Sequence, residues 1–308
     1  MDWREKDGAS GMKQSTIGMI GIGMMGKGIA SNLLAKGWKL AFLDHPGNQP
    51  VDDLVAAGAT RYASAAALAA NSNTIILCVT GTPEVEDALT RQDGILSGIR
   101  PGSLIIDCST AIPESTMRLA TRIAEAGCRF LDAPMTRTPK EAAEGRLNLI
   151  VGGDETEFRQ QLPLLQAFAE NIIHAGPVGA GHRMKLLHNF VSLGFSAVLA
   201  EAAACAARGG VSPQTLIEVL ARGGGAGVIL DRLKPYILDG DPSGMRFSLS
   251  NAHKDLSYYT AMAEQEGAEA GTAIAIRELF RRSKGDGTPV VPELVTLLGE
   301  GILAEPGE

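Results

Sequence analysis

Gly21, Gly23 and Gly26 follow the apolar run Thr16–Ile20 at once and open a helix-like stretch over residues 25–36. A glycine at the first position lets the chain turn tightly after a strand. One at the second lets backbone approach a pyrophosphate, and one at the third lets helix and strand pack closely. The helix start, with Met24 and Met25 in it, offers unpaired N–H groups to phosphate oxygens. The spacing alone is a weak signal; a strand before it and a helix after it give it weight. Asp44 ends the next apolar run, Lys39–Leu43, where a carboxylate accepts hydrogen bonds from adenosine ribose hydroxyls and repels a 2′-phosphate. His45 follows with no arginine beside it, so the pattern points to NAD, with NADP less favoured. The plainer reading of Asp44 is a turn cap before Pro46.

Further along, Lys185, Asn189 and Ser192 recur at i, i+4 and i+7 near the start of an apolar segment over residues 181–208, on one helix face. A lysine can carry a proton to or from a reacting oxygen if burial, nearby cations or a positive helix end lower its pKa toward neutrality. Spacing does not separate that role from an ordinary solvated lysine. Cys78, Cys108, Cys128 and Cys205 are widely spaced with no C-x-x-C. They read as small hydrophobes with free thiols, not as redox or metal ligands. No cluster of His, Cys, Asp or Glu has metal-ligand spacing, so no metal is expected.

The elements that must position these residues change character along the chain. Up to about residue 175, short apolar runs alternate with amphipathic stretches. Strands are expected at Thr16–Ile20, 40–43, 74–79, Leu104–Asp107, 129–131, 147–151 and 172–174, and helices at 25–36, 64–70, 83–90, 113–126 and 155–169. That rhythm predicts an α/β fold with a doubly wound, parallel sheet of Rossmann type. Beyond Gly176-Pro177 the strand signals stop. A long helix over 181–208 ends at Gly209-Gly210, on the order of 40 Å at 1.5 Å per residue. Ser212 and Pro213 then read as the N-cap and first residue of another helix. Further helices are expected over 255–266, 273–284 and 292–298. The domain reading is a flexible extension over 1–14, a dinucleotide-binding Rossmann domain over 15–178 and an all-helical domain over 179–308, linked by the long helix. The apolar length of that helix points to partial cover by a partner subunit, in a homodimer or homotetramer.

Composition narrows the partners. The 308 residues suffice for two cores, and 35 acidic against 28 basic side chains give a net charge of -7 with no Lys/Arg-rich run. Such a chain has no electrostatic footprint for nucleic acid. Residues 1–14 are polar and charged, lack the apolar stretch of a signal peptide, and leave Met12 open as a native start. The most apolar later stretch, 190–200, falls short of the roughly 18 residues of a membrane span. A cytoplasmic protein is expected.

A series of motifs runs through nearly the whole chain after Gln14. It comprises Gly21-Ile-Gly-Met-Met-Gly26 with Ala30-Ser-Asn32-Leu, Asp107-Cys-Ser109-Thr110-Ala-Ile-Pro113, Asp132-Ala-Pro134 and Gly152-Gly153. Gly179-Ala-Gly181-His-Arg-Met-Lys185-Leu-Leu-His-Asn189 and His253-Lys254-Asp255-Leu256 complete it. In order and content the series resembles the beta-hydroxyacid dehydrogenases, which include 3-hydroxyisobutyrate dehydrogenases, tartronate semialdehyde reductases and sulfolactaldehyde reductases. The resemblance implies NAD(H)-dependent interconversion of a small beta-hydroxy acid and its semialdehyde. Lys185 would be the general acid/base, with Asn189 orienting substrate or lysine and Ser192 continuing that face. It implies Thr110 on the nicotinamide side, Ser109 on the cofactor or the substrate acid, Val79 lining the cofactor pocket, and Lys254 near the nicotinamide.

The chain departs from those relatives in two places. Thr80 stands where they commonly have proline. After Asp132-Ala-Pro134 most read Val-Ser-Gly-Gly, but this chain reads Met135-Thr136-Arg137-Thr138. Arg137 would put a fork-shaped cation into the acid subsite, with Thr138 as a further donor. The sulfolactaldehyde reductases carry a similar Gly-Arg-Thr, suited to a sulfonate's third oxygen. Alternatively, Arg137 grips an ordinary carboxylate or faces solvent. His188 gives a partial resemblance to the Lys-x-x-His-Asn of 6-phosphogluconate dehydrogenases and reads as a neighbour of the site. Other readings are a 3-hydroxyisobutyrate or tartronate semialdehyde enzyme, an imine reductase (which usually lacks the lysine), and a non-catalytic dinucleotide-binding scaffold.

Overall fold

The computed structural model describes residues 15–283 and 289–301, so the expected extension over 1–14 and the end of the expected helix at Lys284 lie outside the described residues. The chain packs as two compact units, one up to Lys185 and one from Leu186. The division falls inside a continuous helix.

The first unit runs β1 (Thr16–Ile20), α1 (Met24–Ala35), β2 (Lys39–Leu43), α2 (Asp52–Ala56), β3 (Thr60–Tyr62), α3 (Ala65–Ala70) and β4 (Thr74–Leu77). It continues through α4 (Thr82–Thr90), α5 (Ile95–Gly98), β5 (Leu104–Asp107), α6 (Pro113–Glu125), β6 (Arg129–Asp132) and β7 (Met135–Thr136). Then come α7 (Pro139–Ala143), β8 (Leu147–Gly152), α8 (Glu155–Leu165) and β9 (Ala169–Gly176). The sheet order is β3-β2-β1-β4-β5-β6-β8-β7, with β9 also on β8. The strands from β3 to β6 are parallel, so the expected doubly wound Rossmann sheet is present. Its far edge is mixed, because β8 runs antiparallel to β6 and β7.

These strands read as unbroken apolar runs because both faces are covered. Alternate residues enter two separate cores: Ile76 and Ile106 pack on the side of Ile29 and Leu33 of α1. Ile75, Leu77 and Ile105 pack on the side of Leu119 and Ile123 of α6. The order reverses between β1 and β4, and ligands of such sheets bind at the carboxyl ends of the strands beside that switch.

The long helix α9 (Ala180–Arg208) carries the chain from the first unit into the second, where α10 (Pro213–Ala221), α11 (Val228–Asp239), α12 (Leu249–Gln265), α13 (Gly271–Arg282) and α14 (Leu294–Glu300) follow. No strand is assigned among the described residues there; Leu193, Leu230, Leu233, Leu256 and Phe280 lead its core. Ser212 caps α10 as expected, its Oγ accepting from Thr215 N at 3.1 Å. By length and composition α9 passes as a membrane span, with 39% of its apolar window buried. The expectation of a short segment at 190–200 is thereby corrected, since small residues extend the apolar stretch on either side. The core helix of a soluble protein meets the same test.

Candidate active site

The glycine loop shows why each glycine is there. Gly21 has φ +95°, and a Cβ on it would stand 2.2 Å from Cys78 O. A Cβ on Gly26 would stand 1.9 Å from Gly21 O, so α1 starts hard against the loop that feeds it. Gly23 differs: nothing lies within 4 Å of its Cβ position, and it heads α1 with no side-chain cap. The loop is braced from behind by Asn48, whose Oδ1 accepts from Ile22 N at 3.2 Å, and by Gln49 N, which donates to Ile22 O at 2.7 Å. With Ile22 satisfied on both sides, the N–H groups at Gly23, Met24 and Met25 form the helix's positive end, with no side-chain cap among the described residues. This is the shape and polarity a pyrophosphate needs, so the residues present fit a dinucleotide. Asn48 escaped sequence reasoning; its only signal was an Asn in a turn.

Asp44 is exposed at the end of β2, its N–H donating to Tyr62 O at 2.8 Å. Val79 follows β4, and its N–H donates to Ser109 Oγ at 3.0 Å. Ser109 itself is buried, its N–H donating to Asp107 Oδ1 at 2.9 Å. Its hydroxyl therefore ties the loop after β5 to the loop after β4. Thr110, beside it, is half-buried. Burial pushes the Asp107 carboxyl above the usual carboxylate range, although His182 and Ser109 pull it back. Burial likewise pushes the Cys78 thiol up to about 12. All four cysteines are free thiols, and Cys205 is exposed where a buried position was the bland expectation.

Arg137 is the sole non-glycine with positive φ among the described residues, at +83°. Its Nη1 donates to the Glu170 carboxylate and to the Arg146 carbonyl, and the hydrogen bond holds Glu170 below the usual carboxylate range. Thr138 closes a capping box at the head of α7 with Glu141, Oγ1 to Oε2 at 2.5 Å. Both expected acid-binding side chains thus have partners within their own unit. Behind them α1 packs closely on α7: a Cβ on Gly28 would meet Ala142 C at 2.5 Å, and Asn32 Nδ2 donates to Ala142 O at 3.0 Å.

Lys185 is half-buried and closes the first unit, in the second turn of α9. Asn189, the next site residue on that helix, is buried in the second unit, and its Nδ2 donates to Asp255 Oδ2 at 2.6 Å. Ser192 Oγ donates to His188 O at 2.9 Å. Lys254 Nζ stands 3.2 Å from Asp255 Oδ1, so Asn189 and Lys254 share one buried carboxylate. Asp255 belongs to the motif His253-Lys254-Asp255-Leu256, and its clamp on Asn189 leaves no local signal in the sequence.

Residues 16–176 match the family model described as the NAD binding domain of 6-phosphogluconate dehydrogenase. Residues 179–290 match the model described as NAD-binding of NADP-dependent 3-hydroxyisobutyrate dehydrogenase. The NAD-dependent L-serine dehydrogenase of Pseudomonas aeruginosa is 34% identical over 77% of this chain and 79% of its own. The 3-sulfolactaldehyde reductase of Escherichia coli is 31% identical over 89% of this chain and 91% of its own. Among solved structures, Mycobacterium tuberculosis 3-hydroxyisobutyrate dehydrogenase with L-serine superposes with a TM-score of 0.84 at 26% identity, over 92% of this chain and 99% of that one.

Proposed function

The chain belongs to the beta-hydroxyacid dehydrogenases, as a 3-hydroxyisobutyrate dehydrogenase-like oxidoreductase with an NAD(P)-binding domain, and from that premise we propose that it interconverts a small beta-hydroxy acid and its semialdehyde using NAD(H). The observation that carries the reading is the uncapped head of α1, with Gly23 facing open space. Gly21, Gly23, Met24, Met25 and Gly26 would hold the pyrophosphate, Asp44 the ribose, and Val79, Thr110 and Lys254 the nicotinamide end. Bound there, the cofactor supplies or accepts the hydride. The proton is left to the chain: Lys185 Nζ gives it to the carbonyl oxygen in reduction and takes it from the hydroxyl in oxidation. Asn189, clamped by Asp255, orients the reacting group, and Ser192 extends the same helix face.

A sulfonate substrate is the more specific form of this reading, and Arg137 favours it. A non-glycine residue held at positive φ costs about 1–2 kcal/mol, and such strain gathers at functional sites. Glu170 occupies part of the guanidinium, so an incoming acid group would replace that carboxylate. The alternatives are the carboxylates of a 3-hydroxyisobutyrate or tartronate semialdehyde enzyme, with Ser109 and Thr138 helping to line the acid subsite. The same reading takes the protein to be a cytoplasmic homodimer or homotetramer. In support, Leu187, Val191, Phe195 and Val198 form an exposed apolar stripe along α9, with Val198 65% exposed.

The test is kcat/KM for sulfolactaldehyde and succinic semialdehyde with NADH, in wild type and Arg137→Gly. A charge-assisted bond contributes about 1.5–3 kcal/mol, roughly 10- to 150-fold. The sulfonate should lose by that factor and the carboxylate by much less. An unchanged ratio would rule out sulfonate selection by Arg137. No turnover of any small acidic aldehyde with either cofactor would sink the enzyme reading itself.

A further inference from the structure

The start of α9 is built in an unusual way. A helix leaves its first four N–H groups unsatisfied, and in α10 and α12 a local serine, Ser212 and Ser248 respectively, accepts from one of them. The approach to α9 is Pro177-Val178-Gly179, with no such residue. The cap comes instead from the end of β6. Asp132, fully buried, accepts from Gly179 N through Oδ1 at 2.7 Å and from His182 N through Oδ2 at 2.8 Å. The helix presses so close to the sheet that a Cβ on Gly181 would stand 2.4 Å from Ile150 O.

His182, in the same turn, is also fully buried. Its Nδ1 lies 2.7 Å from Thr116 Oγ1 on α6. Its Nε2 makes no hydrogen bond among the described residues and stands 3.8 Å from Asp107 Oδ2 at the end of β5. Asp107 and Asp132 are register partners on neighbouring strands, and through Ser109 the first of them reaches the Val79 loop. Burying two carboxylates and an imidazole is a costly way to begin a helix that a serine could begin. The arrangement fixes the helix against the strand ends instead of the preceding loop, and Lys185 follows His182 by three residues, just under one turn.

We propose that Asp132 and His182 are positioning residues for Lys185, locking the first turn of α9 onto the ends of β5 and β6 so that Nζ meets the reacting oxygen in one place. The proposal rests on Lys185 being the general acid/base. A one-residue slip of the first turn would swing Lys185 by about 100° around the helix. Misplacement by about 1 Å is enough to cost roughly 10²-fold in rate.

The test is a double-mutant cycle between the cap and Lys185, using whichever of sulfolactaldehyde and succinic semialdehyde the wild type reduces faster. Asp132→Asn keeps the shape but sets an amide N–H₂ against a backbone N–H. Thr116→Val is the milder change, removing only the hydroxyl beside His182 Nδ1. With Lys185 present, Asp132→Asn should lower kcat about 10- to 100-fold, and Thr116→Val about 3- to 10-fold, with NADH affinity unchanged. On a Lys185→Ala background both losses should vanish, because there is no Nζ left to misplace. If Asp132→Asn fails to fold, Thr116→Val decides. Unchanged kcat in the folded variants, or the same fold-loss on both backgrounds, overturns the proposal while leaving Lys185's own role standing. A near-normal kcat in Lys185→Ala alone overturns both, and that single variant shows which has failed.

Discussion

Asp44 sits where β2 and β3 part, fixed by its own backbone and exposed in its side chain. Counting from the glycines places it in the sequence, with His45 and no arginine beside it. Arg61 on β3 pairs alongside Phe42 of β2, and its Nη2 meets Asp52 Oδ1 at 3.0 Å. Asp44→Ser should narrow the preference for NADH over NADPH. At an exposed position the lost repulsion is about 1–2 kcal/mol, roughly 5- to 30-fold in the ratio of kcat/KM values. Wild-type enzyme equally efficient with both cofactors would contradict the assignment. Arg137 was legible as a departure from the glycine of its relatives. Its positive φ and its Glu170 partner were not; the partner lies 33 positions on.

At the scale of elements, glycine chemistry was the most legible feature, since it is set by neighbours a few residues away. It also separates two effects that a motif match runs together. Gly26→Ala drives a methyl into Gly21 O, an overpacking that costs about 1–3 kcal/mol or more and lowers Tm. Gly23→Ala meets nothing, at an ordinary φ of -75°, and should leave Tm within the roughly 0.5 kcal/mol spread of a neutral surface change. Its methyl would occupy the space the pyrophosphate needs, so NADH should bind at least about tenfold more weakly. Thermal melts and fluorescence titration of both variants check this. Parallel losses of Tm, or normal NADH binding by Gly23→Ala, would mean that the loop is structural only.

Thr16–Ile20 and Leu104–Asp107 were placed to the residue, while the fully buried β4 stops at Leu77, two residues short of the expected 79. The edge strand β3 is mostly exposed and β7 has two residues, so neither left an apolar run to find. Helix α11 was missed because Pro235 interrupts its pattern, and α12 begins six residues before the expected 255, capped by Ser248. The Asp132 cap could not be found from local signals, because it joins positions 47 and 50 apart.

For the whole molecule, the change from alternating strands and helices to helices alone was readable from composition and rhythm. The motif series then set the chemistry on that frame. On the proposed reading the glycine loop over residues 21–26 takes the cofactor and Lys185 of α9 the proton, while a buried carboxylate holds Asn189 in the helical unit. Those tasks fall on different residues, and Lys185→Ala separates them. NADH affinity, by fluorescence titration, should match wild type. Turnover of the best acidic aldehyde should fall about 10²- to 10⁴-fold, the range of a lost general acid/base. Lost NADH binding would make Lys185 a structural residue, and near-normal kcat with binding intact would remove it from the mechanism.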